Sequence, residues 1–210
     1  MAKILLIIPT GGGVHERTAA VAAHLSREEN VDMGIMRGRP GCYNRNNAVR
    51  IFLANKQYTH LFFLDSDTEP PLDAIEKLLK CNALIATGCY AVQMRDGLRW
   101  AMAYRDSVGK YWLQKKRPSK KIRFRVDAAG AGCLLIHRKV LEAIKWPWFR
   151  WLENEDGTQI SDDIFFFKKA AEHGFTAICE PAVECRHYKE MEITQLMKLL
   201  EQAKEKKECG

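Results

Sequence analysis

Three groups of residues in this chain have the types and spacing to do chemistry. In the first, the apolar run Leu61 to Leu64 leads straight into Asp65, Ser66, Asp67, Thr68 and Glu69, with Pro70 and Pro71 behind. Four apolar residues suit a fully buried strand and are too few for a helix. A buried strand ending in carboxylates presents charge at the carboxyl edge of a sheet, where open α/β folds place ligands. Two carboxylates one residue apart can grip one hard divalent cation, directly or through its water. Taken alone, Asp-Ser-Asp reads first as a polar turn leaving a strand. In the second group, Ser161 is an N-cap for a helix whose first turn carries Asp162 and Asp163 and which ends at Gly174. Either aspartate would be a general base if it faced a cleft. Acids also suit a helix N-terminus without doing any chemistry. The third group, Asp127 to Gly132, holds Gly130, Ala131 and Gly132, where the backbone can approach a ligand closely or simply pack.

Weaker signals surround these. Asn44 is a plausible N-cap for a helix over 44–54, which puts Arg45 and Asn46 where backbone amides favour an anion. His187 stands alone after the last expected strand. Trp146, Trp148 and Trp151 flank Pro147, and such aromatic faces either stack on sugar rings or bases or cap a core. Pro9, Thr10 and the triplet Gly11 to Gly13 separate a first strand from an alanine-rich helix. The run lacks both Gly-x-Gly-x-x-Gly and Gly-Lys-Ser/Thr, so it supports neither a dinucleotide fingerprint nor a P-loop. It marks a nucleotide-sized crevice beside the first strand's carboxyl end.

The elements that must position these groups are legible as a pattern. Strands are predicted at 3–8, 31–36, 60–64 and 83–87, alternating with helices at 14–25, 44–54 and 70–80. That alternation specifies a Rossmann-like α/β domain, its mostly parallel sheet flanked by helices. Short strands at 98–104, 110–113 and 122–126 read as an antiparallel or mixed extension of the same sheet. A strand at 133–136, helices at 138–145 and from Ser161 to Gly174, and a last strand at 175–179 complete one domain over 1–188. A charged amphipathic helix is expected in the tail, 189–210.

Composition excludes several function classes. A chain of 210 residues, 47% hydrophobic and 28% charged, is ordinary for one globular domain. No apolar run approaches the roughly 18 residues that span a bilayer, and the opening strand is too short for a signal sequence. A cytoplasmic location is expected. The seven cysteines are scattered without a Cys-x-x-Cys pair, which argues against a disulfide framework or structural zinc. The net charge of +7 is concentrated between Lys115 and Arg125, a cluster that reads either as solvated or as a peripheral membrane or phosphate contact. No nucleic-acid module accompanies it, so no nucleic-acid partner is expected.

Taken in order, these segments resemble the GT-A superfamily of nucleotide-sugar-dependent glycosyltransferases, especially its family 2-like group. The resemblance runs from Lys3 to Tyr188 and rests on Pro9-Thr10, Arg45-Asn46, Leu61 to Pro71 with its Asp-x-Asp, Val126 to Glu142, and Ser161-Asp162-Asp163. It implies that Pro9, Thr10, Arg45 and Asn46 line the nucleotide pocket, and that Asp65 and Ser66 contact the donor. Asp67, His187 and, through water, Asp65 would coordinate Mn2+ or Mg2+ on the donor diphosphate. Gly130, Ala131 and Gly132 would form the wall where donor sugar and acceptor meet, and Asp163, with Asp162 as the competing choice, would be the base. The implied activity is hexosyl transfer from a nucleotide-diphosphate sugar to an acceptor hydroxyl, with inversion. The acceptor is open among a glycan, a lipid-linked sugar, a protein and a small molecule. Two other readings stay in play, a GT-A-like nucleotidyltransferase and a non-catalytic nucleotide-sugar or glycan-binding protein.

Overall fold

A computed structural model describes residues 2–38, 40–94, 97–153, 157, 159–190, 193–194, 196–198 and 200–201. The first half alternates as its hydrophobic pattern requires. It runs β1 (Ile4–Thr10), α1 (Glu16–Leu25), β2 (Val31–Arg37), α2 (Gly41–Ala54), β3 (His60–Leu64), β4 (Thr68–Glu69), α3 (Ala74–Leu79) and β5 (Ile85–Cys89). Then come β6 (Ala91–Met94), β7 (Gly97–Arg105), β8 (Tyr111–Gln114), β9 (Phe124–Val126), β10 (Ala128–Ala129), β11 (Cys133–His137) and α4 (Arg138–Ala143). The chain continues through β12 (Leu152–Glu153), β13 (Gln159–Ile160), α5 (Asp162–Glu172), β14 (Ala177–Glu184) and β15 (Arg186–His187).

Seven strands form the central sheet in the order β2-β1-β3-β11-β5-β14-β9. β1 runs parallel to β2 and β3, and β5 parallel to β14, while β11 is antiparallel to both its neighbours. Every residue of β1 is buried, as a strand covered on both faces demands. Alternate β1 residues divide between two cores. Ile4, Leu6 and Ile8 pack with Val21 and Leu25 of α1 and Leu78 of α3. Leu5 and Ile7 pack with Phe52 of α2, Leu141 of α4 and Phe166 of α5.

The structure corrects the expected extension of this sheet. Only β9 joins its edge, whereas β7 and β8 build a separate antiparallel sheet with β6 and β10. Local alternation marks a strand but says nothing about its distant partner. Asn44 is not the cap of α2, which starts at Gly41 after Pro40. Asn44 lies buried inside the helix and donates to the carbonyls of Thr10 (3.2 Å) and Gly38 (2.9 Å). Pro70 and Pro71 do not open α3, which begins at Ala74, because Thr68 and Glu69 first pair with β15. The expected tail helix lies largely outside the described residues, and among the described residues no helix is long and apolar enough to cross a membrane.

β14 runs farther than expected and brings Glu180 and Glu184 to the basic cluster. Arg117 forks onto both Glu184 oxygens at 2.7 and 2.6 Å, Lys120 lies 3.2 Å from the same carboxylate, and Arg123 pairs with Glu180. Three of the seven cations between Lys115 and Arg125 are therefore paired with carboxylates of the same chain.

The C-terminal end of α2 depends on Arg138 from α4. Its guanidinium donates to the carbonyls of Phe52 (2.8 Å), Asn55 (2.6 Å) and Tyr58 (2.7 Å) and lies 4.4 Å from the Phe52 ring centroid. A cation is favoured at a helix C-terminus, and charge-assisted bonds to orphan carbonyls are strong. Arg138→Met should lower the unfolding free energy by about 3 kcal/mol, seen as a reduced urea midpoint with unchanged slope.

Candidate active site

The carboxyl ends of β1 and β3 converge on Arg45, whose buried guanidinium comes from the first turns of α2. One nitrogen, Nη2, donates to Asp65 Oδ1 at 2.6 Å and the other, Nη1, to Asp162 Oδ2 at 2.9 Å. Asp163 Oδ1 sits 4.0 Å from Nη1, too far for a hydrogen bond, and is buried without a hydrogen-bond partner. Ser161 caps α5 by accepting from the Ile164 amide, which orients the two aspartates in its first turn. One guanidinium thus faces three carboxylates and is bonded to two of them. Burial pushes the Asp163 carboxyl up to about 7. Arg45 and the Ala131 backbone amide pull it down, but Asp162 and Asp65 repel its charge and leave burial the winner.

The loop after β3 is pinned on three sides by its backbone. The Asp65 amide donates to Gly132 O (3.0 Å), the His15 amide to Ser66 O (2.8 Å) and the Tyr188 amide to Asp67 O (2.8 Å). Pairing of β4 with β15 sets His187 opposite Thr68, which places His187 Nε2 3.4 Å from Asp67 Oδ1. His187 Nδ1 donates to Ala91 O at 2.8 Å, since a carbonyl can only accept, and that bond directs Nε2 toward Asp67. Lys189 holds the other Asp67 oxygen. Burial pushes the Asp67 carboxyl up, but the His187 and Lys189 contacts outweigh it and hold it at about 2. Glu69 also has partners here, accepting from the Tyr188 hydroxyl and lying 3.6 Å from Arg186.

Gly130 and Gly132 are required by a residue that nothing in the sequence pattern singled out. Tyr90, buried between β5 and β6, fills the space where their side chains would be. A Cβ at Gly130 would stand 2.1 Å from the Tyr90 hydroxyl, and one at Gly132 2.7 Å from it. The Gly132 amide donates to that hydroxyl at 3.0 Å. The two glycines therefore admit Tyr90, and the Gly132 carbonyl in turn fixes Asp65.

A cleft of about 620 Å3, lined by Pro9, Thr10, Gly38, Asn44, Arg45 and Asp65 among others, opens beside this cluster. It has the size of a small-ligand site and stands at the carboxyl edge of the sheet. The structure places Pro9, Thr10, Arg45 and Asp65 around one cleft, and the Ala131 amide between Gly130 and Gly132 meets Asp163. Asn46 is placed elsewhere. Its amide donates to Phe149 O (2.7 Å) and accepts from the amides of Trp148 (3.0 Å) and Phe149 (3.1 Å), which ties down the aromatic segment. The expected ligand trio of Asp65, Asp67 and His187 does not assemble either, because Arg45 holds Asp65. Among the described residues no group of three or more His, Cys, Asp or Glu is placed to hold a metal ion. Sequence reasoning missed Tyr90, Asn44 as a cleft residue, and Lys189. Their roles come from tertiary partners and leave no local signal.

No family model matches the sequence, and no curated protein matches it. Among solved structures, the crystal structure of A197 from STIV superposes with a TM-score of 0.62 at 22% identity, over 90% of this chain and 86% of that one. GalNAc-T7, crystallised with UDP, GalNAc and Mn2+, gives a TM-score of 0.54 at 14% identity over 91% of this chain. This chain spans only 38% of the GalNAc-T7 chain. The fold is GT-A. At these identities the likeness is one of architecture, and function has to be argued from the site.

Removing the central cation tests the cluster directly. Arg45→Gln should cost about 3–5 kcal/mol at neutral pH, because it leaves buried carboxylates without a counter-charge. Those carboxylates would then titrate above their unfolded value of about 4, so the folded form would bind extra protons and the deficit would shrink as pH falls toward 5. Urea titrations at pH 5, 6 and 7.5 read this out, and a loss independent of pH would show that Arg45 only packs.

Proposed function

We propose that this chain is a metal-dependent glycosyltransferase that moves a sugar from a nucleotide-diphosphate donor to an acceptor hydroxyl with inversion. The observation that carries the reading is the opposite treatment of two aspartates at one sheet edge. Asp67 is kept ionised at about 2 beside an imidazole, while Asp163 is pushed up to about 7 with one oxygen unpartnered. Carboxylates whose environments drive their pKa values apart divide into charge holder and acid–base group.

Asp67 and His187 would hold a divalent cation of the Mg2+ or Mn2+ type only as two protein ligands, with Lys189 on the same carboxylate as a competitor. One carboxylate and one imidazole suffice when donor phosphates and water complete the shell. The His187 Nδ1–H bond to Ala91 O is the kind of outer contact that orients a ligating imidazole. When bound, the cation would supply Lewis-acid stabilisation of the departing diphosphate. GalNAc-T7, which shares the fold, was crystallised with Mn2+, UDP and GalNAc.

Asp163 supplies the base. Its carboxylate takes the proton of the acceptor hydroxyl, whose oxygen forms the new bond at the anomeric carbon. The bond from that carbon to the diphosphate breaks, and its electron pair leaves with the diphosphate. Asp162 is buried and bonded to Arg45, which suits it to hold Arg45 and leaves the proton transfer to Asp163. Pro9, Thr10, Asn44 and Asp65 bind the nucleoside in the cleft, with Asp65 set by Arg45 to meet the ribose. Ser66 and the Gly130-Ala131-Gly132 wall border the donor phosphates and sugar.

A thermal-shift screen of nucleotide sugars with and without Mn2+ tests the reading, since a ligand of the native state raises its melting temperature by mass action. The matching donor should stabilise the chain more with Mn2+, and Asp67→Asn should abolish that added stabilisation. Donor stabilisation with no transfer or hydrolysis would assign a binding protein instead, and pyrophosphate release from a nucleoside triphosphate would assign a nucleotidyltransferase. Asp163→Asn should keep donor binding and lose transfer by about 10²-fold or more. Wild-type kcat should rise with pH through about 7, because the base must be unprotonated. Stability runs the other way. A raised carboxyl pKa favours the protonated folded state, so this contribution is lost as pH climbs from about 4 to about 7. Asp163→Asn should therefore unfold at a temperature no lower than wild type at pH 8.

A further inference from the structure

The central sheet has two edges, and they are protected differently. On one side β9 is three residues long and carries Arg125, with Arg123 just ahead of it. A short, charged edge discourages further pairing. On the other side β2 runs for seven residues, Val31 to Arg37, without a lysine or a proline. The Ile4 amide donates to Asn30 O at 2.8 Å and the Gly38 amide to Thr10 O at 2.9 Å, so residues 30 and 38 turn their peptide groups toward β1. A strand alternates with a period of two, so Asp32, Gly34 and Met36 face β1 as well. The amides and carbonyls of Met33, Ile35 and Arg37 therefore point away from the sheet. Among the described residues they have no backbone partner.

The side chains along this open edge are apolar in the middle and charged at the ends. Met33 is 42% exposed and Ile35 56%, on the face where their β1 neighbours Leu6 and Ile8 meet α1. Asp32 is held instead by Lys3 and by the Tyr58 hydroxyl, each at 2.8 Å. Glu29 is exposed just before the strand and Arg37 is exposed at its last residue.

We propose that β2 is the interface of a symmetric homodimer, in which it pairs antiparallel with β2 of a second copy and joins the two sheets into one. Around a two-fold axis at Gly34, Met33 stands opposite the partner's Ile35, and Ile35 opposite the partner's Met33. The outward backbone groups then exchange hydrogen bonds where the apolar side chains meet. The same axis sets Arg37 diagonal to the partner's Glu29 and closes both ends of the contact with opposite charges. A parallel, in-register arrangement would set arginine beside arginine and glutamate beside glutamate, so charge selects the antiparallel one. An isologous contact of this kind closes on itself, and it covers an edge that would otherwise template open-ended pairing. Antiparallel pairing points the carboxyl ends of the two sheets in opposite directions. The two clefts therefore lie at opposite ends of the joined edge, each beside its own Gly38. Nothing in this pairing depends on the chemistry of the cleft.

Sedimentation velocity of the full chain from about 1 to 100 µM tests the proposal, a range suited to a short, exchanging interface. Wild type should pass from monomer to dimer across the series. A chain monomeric throughout overturns the proposal and leaves the edge to a strand of another protein. Ile35→Lys should weaken association about tenfold or more, because it replaces two apolar contacts with like charges around the axis. A dimer that survives this change forms through another surface, which also overturns the proposal. Ile35 is already more than half exposed, and equal melting temperatures at the dilute end check that the variant folds. Arg37→Glu and Glu29→Arg should each weaken the dimer about threefold or more, since each pair occurs twice in a two-fold contact. The double exchange should recover the lost affinity, and no recovery would overturn the antiparallel pairing. Hydrogen exchange locates the surface independently. The amides of Met33 and Ile35 should slow as concentration rises, and exchange there that ignores concentration would place the contact elsewhere.

Discussion

One buried guanidinium among three carboxylates sets the terms for the rest of the site. Arg45 cannot be left unpaired at that depth, and neither can the aspartates around it, so each needs the others for the chain to fold there. Its partners come from the end of β3 and the start of α5, while Arg45 itself comes from α2. Three elements far apart in sequence are thereby locked in one relative position. One positive charge cannot satisfy three negative ones, and geometry decides which is left short. The two nitrogens in reach take Asp65 and Asp162, and Asp163 is left at 4.0 Å. That shortage adds to burial in raising the proton affinity of Asp163.

Backbone contacts then transmit this arrangement to the other acids. Asp65 is fixed at its side chain by Arg45 and at its amide by Gly132, so the direction in which the chain leaves β3 is set. Tyr90 can pack against Gly132 because that residue has no side chain. Asp67 follows two residues later with its carbonyl held by Tyr188 and its side chain flanked by His187 and Lys189. Loops between secondary elements are ordinarily the mobile part of a fold. This one is tied to β11, to the start of α1 and to the strap after β14, which gives the acids the rigid frame that directed chemistry needs.

The parts of this design that were readable in the sequence are those written locally. A run such as Leu61 to Leu64, an alternation of strands and helices, and a Ser161 cap before two acids each declare themselves within one element's length. The order of such segments was specific enough to name the fold class. What was unreadable depends on partners from elsewhere in the chain. Whether β7 extends the main sheet or starts another is decided by β10 and β6, not by its own residues. Asn44 had the type of a cap and turned out to be a helix-interior residue reaching Thr10. Asn46 had the place of an anion contact and holds Trp148 and Phe149 instead. Asp65 stood in the spacing of a metal ligand, and a residue twenty positions earlier claimed it. In each case the residue type was right for the chemistry expected and the competing partner lay out of sight.

Asp67 and Asp163 lie at a single sheet edge, yet their carboxyls are driven in opposite directions. Both are partly withdrawn from water, which by itself would raise both carboxyls. Asp67 is flanked by an imidazole and an ammonium with no second carboxylate competing for them. Asp163 shares its one cation with two closer acids. The difference between them therefore lies first in burial, which is deeper and decisive at Asp163, and then in the local ratio of cations to carboxylates. Because that ratio at Asp163 is fixed by Arg45, the same interaction that holds α2, β3 and α5 together also bears on the proton affinity of the proposed base. Structure and chemistry here cannot be tuned separately. A substitution that relieved the crowding around Arg45 would stabilise the fold by the same change that lowered the Asp163 pKa and weakened it as a base near neutral pH.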